Sequence, residues 1–187
     1  MNNTAKIIVV LTIISIISGG VLAVLDSFTR PRIEDYAEKV KNAAIYDVLP
    51  ESVKVEVIKV KIDDEEREVY KAIKKNEVVA YAFQVSGSGF QSDLVLMVGV
   101  SPDFSELNSL KILSQMETPG LGTRIEEEWF IEQFKGLKLK PSVTYIKNAK
   151  PSKDNEIQAI TGATISSAAI VDILNTEINK VRLAMNK

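Results

Sequence analysis

The sequence contains no histidine and no cysteine, and only 6% of its residues are aromatic. The lack of histidine excludes a Ser-His-Asp triad, a histidine-based zinc site and the usual proton shuttle of near-neutral pH. The lack of cysteine excludes disulfides, thiolate nucleophiles and iron–sulfur ligation. With 23 basic against 25 acidic residues, the chain also lacks the basic footprint of a nucleic-acid-binding protein. We expect no nucleic acid and no metal site, so any chemistry uses carboxylates, hydroxyls, lysine or a cofactor.

One long uncharged run, Ile7 to Leu25, dominates the start of the chain. At about 1.5 Å per residue it reaches about 29 Å, the thickness of one bilayer core. Because a signal-peptide core has only about 7 to 15 residues, we expect an uncleaved anchor over 1–27 with Met1 retained. A cleaved secretory signal ending near 21–23 is the alternative. The basic residues on both sides of the run nearly balance, so charge does not orient it.

The rest of the chain has the pattern of one α+β domain. Apolar residues at helical spacing predict a juxtamembrane helix over 28–50, with a core-facing stripe of Ile33, Tyr36, Ala37, Val40, Ala44 and Val48. Residues 51–187 are predicted to form a mixed, largely antiparallel sheet with packed helices. Strands are predicted at 53–62, 69–73, 78–85, 94–100, 107–113 and 143–146, helices at 125–134 and 165–185, and a turn or bulge at 86–89.

Hydroxyl groups cluster where the last predicted helix begins. Four residues lead into it, Thr161, Gly162, Ala163 and Thr164, and two serines follow in its first turn, Ser166 and Ser167. The first N–H groups of a helix have no partner within it, and the helix dipole favours an anion there, so a phosphate could bind. The same string is typical of an ordinary N-cap at Thr161 or Thr164. Composition alone favours the N-cap interpretation over the phosphate site.

A second string, Glu117-Thr118-Pro119-Gly120-Leu121-Gly122, precedes this one. With both strings in this order behind a single apolar run, the sequence resembles the FMN-binding domain family. The G subunit of Rnf ion-translocating electron-transport complexes and the C subunit of sodium-pumping NADH:quinone oxidoreductases share that domain. The resemblance covers essentially the whole chain, including the segments 96–99 and 133–136. The short length and plain termini look closer to the Rnf protein.

The resemblance implies that FMN is joined through its phosphate, as a phosphoester, to Thr164. A separate flavin transferase that uses FAD and Mg²⁺ would make this bond. The further cofactor-binding residues implied are Thr161, Gly162, Ala163, Ser166, Ser167, Glu117, Thr118, Gly120, Leu121 and Gly122. No residue of the chain itself is expected to be catalytic, since the electron chemistry belongs to the flavin. Two positions depart from the family pattern: Gln158 replaces the usual aspartate, and Gln115 replaces a frequent histidine.

The resemblance also implies a function. The chain is expected to be a membrane-anchored electron carrier in an Rnf-type complex, with other membrane and peripheral subunits as partners. Such a complex passes electrons between reduced ferredoxin and NAD⁺ and couples this transfer to Na⁺ or H⁺ movement. The amino terminus would lie in the cytoplasm and the flavin domain outside the cytoplasmic membrane. The alternatives are the flavoprotein domain of another extracytoplasmic reductase and a cofactor-free, membrane-tethered binding or sensory domain.

Overall fold

Helix α1 (Asn3–Asp47) is the first element of the computed structural model, which describes residues 2–63 and 65–185. The expected Met1 and the last two residues of the predicted domain lie outside that part of the chain. Contacts divide the chain into two compact units, Met1–Val40 and Lys41–Lys187. The predicted anchor and juxtamembrane helix form one continuous helix with Pro31 inside it. A proline removes one backbone hydrogen bond, and the helix continues because the neighbouring turns keep theirs.

In the first unit, all residues of α1 except the half-buried Ala5 and Val40 are exposed. Among the described residues it is the one helix long and apolar enough to cross a bilayer, and it lies near the amino terminus. The prediction that its later stripe faces a core is wrong for Ile33, Tyr36 and Ala37, which are exposed. Only Ala44 and Val48 of the stripe are buried, because the helix packs on the sheet over its last turn and the residues that follow.

Within the described residues, the second unit is built on one antiparallel sheet of six strands in chain order. These are β1 (Lys54–Ile62), β2 (Glu65–Lys74), β3 (Glu77–Ser88), β4 (Asp93–Val100), β5 (Glu106–Ser114) and β6 (Leu137–Lys138). The predicted antiparallel meander is therefore confirmed. The two-residue β6 was not predicted, because it is too short to show an alternating pattern.

The segments after β5 differ from prediction in detail. The predicted helix over 125–134 is divided into a 3₁₀ turn (Gly122–Glu126), a short α2 (Glu128–Ile131) and a second 3₁₀ turn (Glu132–Phe134). The first division occurs at Glu127, because its backbone is extended, with φ −61° and ψ 137°. The predicted strand near 143–146 is β7 (Thr144–Ile146), which pairs in parallel with an unpredicted β8 (Glu156–Gln158).

The turn between β3 and β4 begins later than the sequence indicated. The residues 86–88 belong to β3 and pair with residues 93–95 of β4, so the turn proper spans 89–92. A side chain at Gly87 would lie 2.6 Å from Ile173 of the last helix. The small residues at 86–88 therefore let the helix approach the end of β3.

Helices cover both faces of the sheet in the second unit. The last helix, α3 (Thr164–Met185), packs on one face against large apolar side chains such as Phe83 and Leu96. The end of α1 packs on the other face against small residues such as Ala82. Since successive side chains of a strand point to opposite faces, each strand supplies both cores. This packing brings the start of α3 to the β3–β4 turn, where the candidate site lies.

Candidate functional site

A pocket of about 270 Å³ joins the two sequence motifs. Three segments form its walls: the β3–β4 turn, the loop after β5 and the start of α3. The lining residues are Phe90, Thr118, Leu121, Gly122, Gly162, Ala163, Thr164, Ile165 and Ser166. Of the residues predicted for cofactor binding, Thr161, Glu117, Gly120 and Ser167 do not line it. The structure thus brings both motifs together but gives their members different roles.

The loop after β5 turns sharply at Gly120, as the sequence indicated. Gly120 has a φ of +74°, in the left-handed region that favours glycine. Its N–H donates to Thr123 Oγ1 at 3.0 Å, and the Thr118 carbonyl accepts from the N–H of Leu121 at 3.1 Å. This tight turn presents the side chain of Leu121, which is 49% exposed.

Glu117 was predicted to supply a polar contact to the cofactor, but the protein already uses both of its carboxylate oxygens. Its Oε1 accepts from the N–H groups of Phe90 at 2.9 Å, Gln91 at 3.0 Å and Ser92 at 3.3 Å. Its Oε2 accepts from the hydroxyl of Ser166 at 2.6 Å. Only 3% of the residue is exposed. Burial alone would raise the pKa of Glu117, but these four hydrogen bonds outweigh it and lower the pKa below its ordinary value.

The second motif forms the opposite wall. Gly162 has a φ of +86°, and a side chain there would approach Leu121 to 3.5 Å. Thr164 begins α3, is half-buried, and has its Oγ1 3.5 Å from the carbonyl of Ile160. Thr161 is exposed and donates from its hydroxyl to Asn148 at 3.3 Å. Of the two threonines, only Thr164 lines the pocket.

The two serines of the first turn have internal partners. Ser167 donates its hydroxyl to the Ala163 carbonyl at 2.9 Å and accepts from the N–H of Ile160 at 3.0 Å. Ser166 donates to Glu117. Both residues are buried, because their side of the first turn faces the domain interior. The proton of the Ser167 hydroxyl is therefore bound to the Ala163 carbonyl and that of Ser166 to Glu117, so neither proton is free for a phosphate in this structure.

The start of α3 keeps the electrostatic features that suit an anion. Within the described residues, the N–H groups of Thr164, Ile165 and Ser166 donate to no acceptor. They lie at the positive end of a 22-residue helix. Arg124, which the sequence analysis missed, lies beside this end with its guanidinium 3.4 Å from the Thr161 carbonyl and paired with Glu127. A basic residue two positions after the first motif was the available signal.

Three exposed apolar side chains border the pocket, and we call them the apolar wall. They are Phe90, 60% exposed, Leu121, 49% exposed, and Ile165, 58% exposed. Phe90 and Ile165 were not predicted as site residues. Each could have been noticed in the sequence as an apolar residue within an otherwise polar turn or helix start, where contact with solvent favours a polar side chain. Such a wall suits a flat, largely apolar ring.

Comparison with known proteins assigns the pocket region to a known family. The sequence profile of the FMN-binding domain family matches residues 89–179, which include all of the pocket. The G subunit of an ion-translocating oxidoreductase complex from Methanosarcina acetivorans is 30% identical over 94% of this chain and 93% of its own. The chain belongs to the Rnf G-subunit family. The G subunit of the Na⁺-translocating ferredoxin:NAD⁺ oxidoreductase complex of Acetobacterium woodii is also 30% identical, over 92% and 89% of the two chains.

The fold of this G-subunit family member is shared with solved structures. The C subunit of the Na⁺-translocating NADH-quinone reductase from Parabacteroides distasonis, in its crystal structure, superimposes with a TM-score of 0.64. The match covers 83% of this chain and 96% of that chain, at 19% identity. NqrC of Shewanella oneidensis gives a TM-score of 0.56 over 70% and 65% of the two chains, also at 19% identity. The predicted fold class and family are therefore both confirmed.

The two positions expected to depart from the FMN-binding domain pattern, Gln115 and Gln158, have defined surroundings. Gln115 accepts the N–H of Glu117 on its side-chain oxygen at 2.7 Å, so it helps to shape the loop. At Gln158, the backbone is held by the side-chain amide of Gln133, which accepts at 2.7 Å and donates at 3.2 Å. Gln133 thereby fixes β8, the strand that leads into the second motif.

Proposed function

We propose that this domain holds one FMN, joined by a phosphoester to Thr164, and carries electrons within an Rnf-type complex. Such a complex couples ferredoxin:NAD⁺ electron transfer to Na⁺ or H⁺ translocation. The observation that carries the proposal is the position of Thr164. It begins α3 inside a pocket that both motifs line.

The residues present fit the cofactor. The apolar wall of Phe90, Leu121 and Ile165 can contact a flat ring, while the unpartnered N–H groups at the start of α3 can stabilise the phosphate charge. Each such charge–dipole contact contributes about 0.3–1 kcal/mol where it is exposed. The flavin supplies one- and two-electron chemistry when bound. The chain's own residues orient the ring, cover part of it from water and hold the phosphate.

Thr164 acts as an acceptor and not as a catalyst. Its hydroxyl has the Ile160 carbonyl as its partner, and the chain has no histidine to take up the hydroxyl proton. We therefore propose that a separate transferase forms the bond from the threonine oxygen to phosphorus. The pyrophosphate bond of FAD breaks in the same step, AMP leaves, and the transferase removes the proton of the hydroxyl.

The proposed partners follow from the relatives. Besides the Acetobacterium woodii protein named above, the G subunit of the proton-translocating ferredoxin:NAD⁺ oxidoreductase complex of Clostridium ljungdahlii is 30% identical over 91% of this chain. Both support assembly with other membrane and peripheral subunits, and they leave the ion open. We propose that α1 anchors the chain by one span, with the amino terminus in the cytoplasm and the flavin domain outside.

The test is Thr164→Val in the full chain, co-expressed with a flavin transferase of this family. We expect the wild-type chain to show the mass of one added FMN and fluorescence that survives denaturation, and the variant to show neither. Valine is close in shape to threonine, so the fold should persist with at most the loss of the 3.5 Å bond from the hydroxyl to the Ile160 carbonyl.

Thr161→Val is the matched control, because Thr161 is the other threonine of the motif and is exposed outside the pocket. It should retain FMN. Covalent FMN in Thr164→Val, or a wild-type chain without flavin, would contradict the proposal. A wild-type flavoprotein that never co-purifies with multispan subunits would instead indicate another extracytoplasmic reductase.

A further inference from the structure

Glu117 joins two walls of the pocket through one buried carboxylate. Three donors on one oxygen are consecutive backbone N–H groups of the β3–β4 turn, beginning at Phe90. The donor on the other oxygen is Ser166, two residues after Thr164 in the first turn of α3. The carboxylate therefore connects the turn that carries Phe90 to the turn that carries Thr164.

Two glycines show how closely the protein packs around this group. A Cβ at Gly89 would lie 2.5 Å from Glu117 Oε1, and a Cβ at Gly122 would lie 2.7 Å from Glu117 Cβ. In proteins, a Cβ atom essentially never lies within 3.0 Å of a non-bonded heavy atom, so only glycine fits at either position without a shift of its neighbours. The carboxylate is thus enclosed on both sides, and its position leaves little room for adjustment.

Burial separates the Glu117 carboxylate from the pocket. Only 3% of the residue is exposed, both of its oxygens accept hydrogen bonds within the domain, and Glu117 does not line the pocket. Phe90, whose N–H it holds, is on the contrary exposed and does line the pocket. Phe90 and Ser166 therefore connect the Glu117 carboxylate to the pocket, because both bind the carboxylate and both line the pocket.

We infer that Glu117 is a positioning residue that sets the separation between Phe90 and Thr164, and hence the geometry in which the ring is held. The inference rests on the proposed attachment of FMN at Thr164. It assigns Phe90 as a ring contact and Ser166 as the link between the carboxylate and α3. Charge-assisted hydrogen bonds are suited to this role, because they are shorter and stronger than neutral ones.

The test compares Ser166→Ala with Ser167→Ala in the full, flavinylated chain. Both remove one buried hydroxyl from the same helical turn, but only Ser166 binds Glu117. We expect Ser166→Ala to lose the visible circular dichroism of the flavin several-fold and to shift its midpoint potential. We expect Ser167→Ala to lower the unfolding temperature, because the buried N–H of Ile160 loses its acceptor, while the flavin signals stay as in wild type.

Glu117→Gln is the conservative variant, which can keep the hydrogen bonds of the carboxylate. Its amide oxygen can accept the three N–H groups, and its amide nitrogen can donate to the Ser166 oxygen, so the flavin dichroism should be largely retained. The inference is overturned if Ser166→Ala has wild-type flavin signals, or if dichroism falls in step with stability in both serine variants. All spectra are taken below the unfolding transition.

The two levels of the proposal fail in different ways. If the wild-type chain carries FMN on Thr164 but the serine variants do not differ in their flavin signals, only the role of Glu117 is wrong. If Thr164→Val retains the flavin, the attachment site itself is wrong.

Discussion

The hydroxyl of Ser166 donates a 2.6 Å hydrogen bond to the carboxylate of Glu117, which lies 49 residues earlier in the chain. This bond connects the first motif to the first turn of α3, which directly follows the second motif. It also explains why a glutamate and a glycine occur together in the first motif, since Gly122 leaves the space that the carboxylate and Ser166 occupy.

Gly122→Ala should destabilise the domain. The new methyl group would lie 2.7 Å from Glu117 Cβ and 3.0 Å from Ser166 Oγ, and relief of such overpacking costs about 1–3 kcal/mol. Denaturant unfolding of the full chain in detergent measures the change. Gly120→Ala is the control. It meets open space and suffers only the strain of φ +74°, about 1–2 kcal/mol. A Gly122→Ala chain that is as stable as wild type would refute the packing argument.

Glu177→Gln should lower the free energy of unfolding at neutral pH by about 1–3 kcal/mol. Glu177 is buried on α3 and accepts from Arg67 of β2 at 2.6 Å and from Lys180 at 2.8 Å. Burial alone would raise the pKa of Glu177, but the hydrogen bonds from Lys180 and Arg67 outweigh it and lower the pKa below 4.5.

A lowered folded-state pKa means that this stabilisation is complete above pH 4.5 and is lost as the pH falls through the folded value. The difference between wild type and Glu177→Gln should therefore shrink on acidification, as measured by unfolding at a series of pH values. Glu132→Gln is the control, since its pair with Lys135 is exposed and 3.7 Å long. If the free energy of unfolding of Glu177→Gln stays below that of wild type by the same amount at low pH, the lost charge is not the cause of the destabilisation.

The proposed topology can be tested because the chain has no cysteine of its own. Lys153→Cys introduces a thiol at an exposed position of the second unit, and Asn3→Cys introduces one near the start of α1. In intact cells, a reagent that cannot cross the membrane should label Lys153→Cys but should reach Asn3→Cys only after lysis. The reverse pattern would place the flavin domain in the cytoplasm and remove the proposed arrangement.

Several elements could be predicted because their patterns are local. The apolar run over 94–100 and the helical spacing over 165–185 match β4 and α3 almost residue for residue. The boundaries that failed depend on context. The residues 86–88 have the composition of a turn, yet they extend β3 because their backbone groups pair with β4. The two short strands β6 and β8 exist only through their partners.

The sequence by itself determined the family and the fold class, because two short strings in the right order behind one apolar run were sufficient. It also led to the proposal that FMN is attached at Thr164, the last residue of the second string. Only the tertiary structure decided which other residues line the pocket. Glu117 is buried against Ser166, and Ser167 faces the domain interior. Phe90, which was not predicted as a site residue, lines the pocket. The physical reason is that residue type shows what a group can bond, whereas long-range packing determines which partner it meets and whether solvent or ligand can reach it.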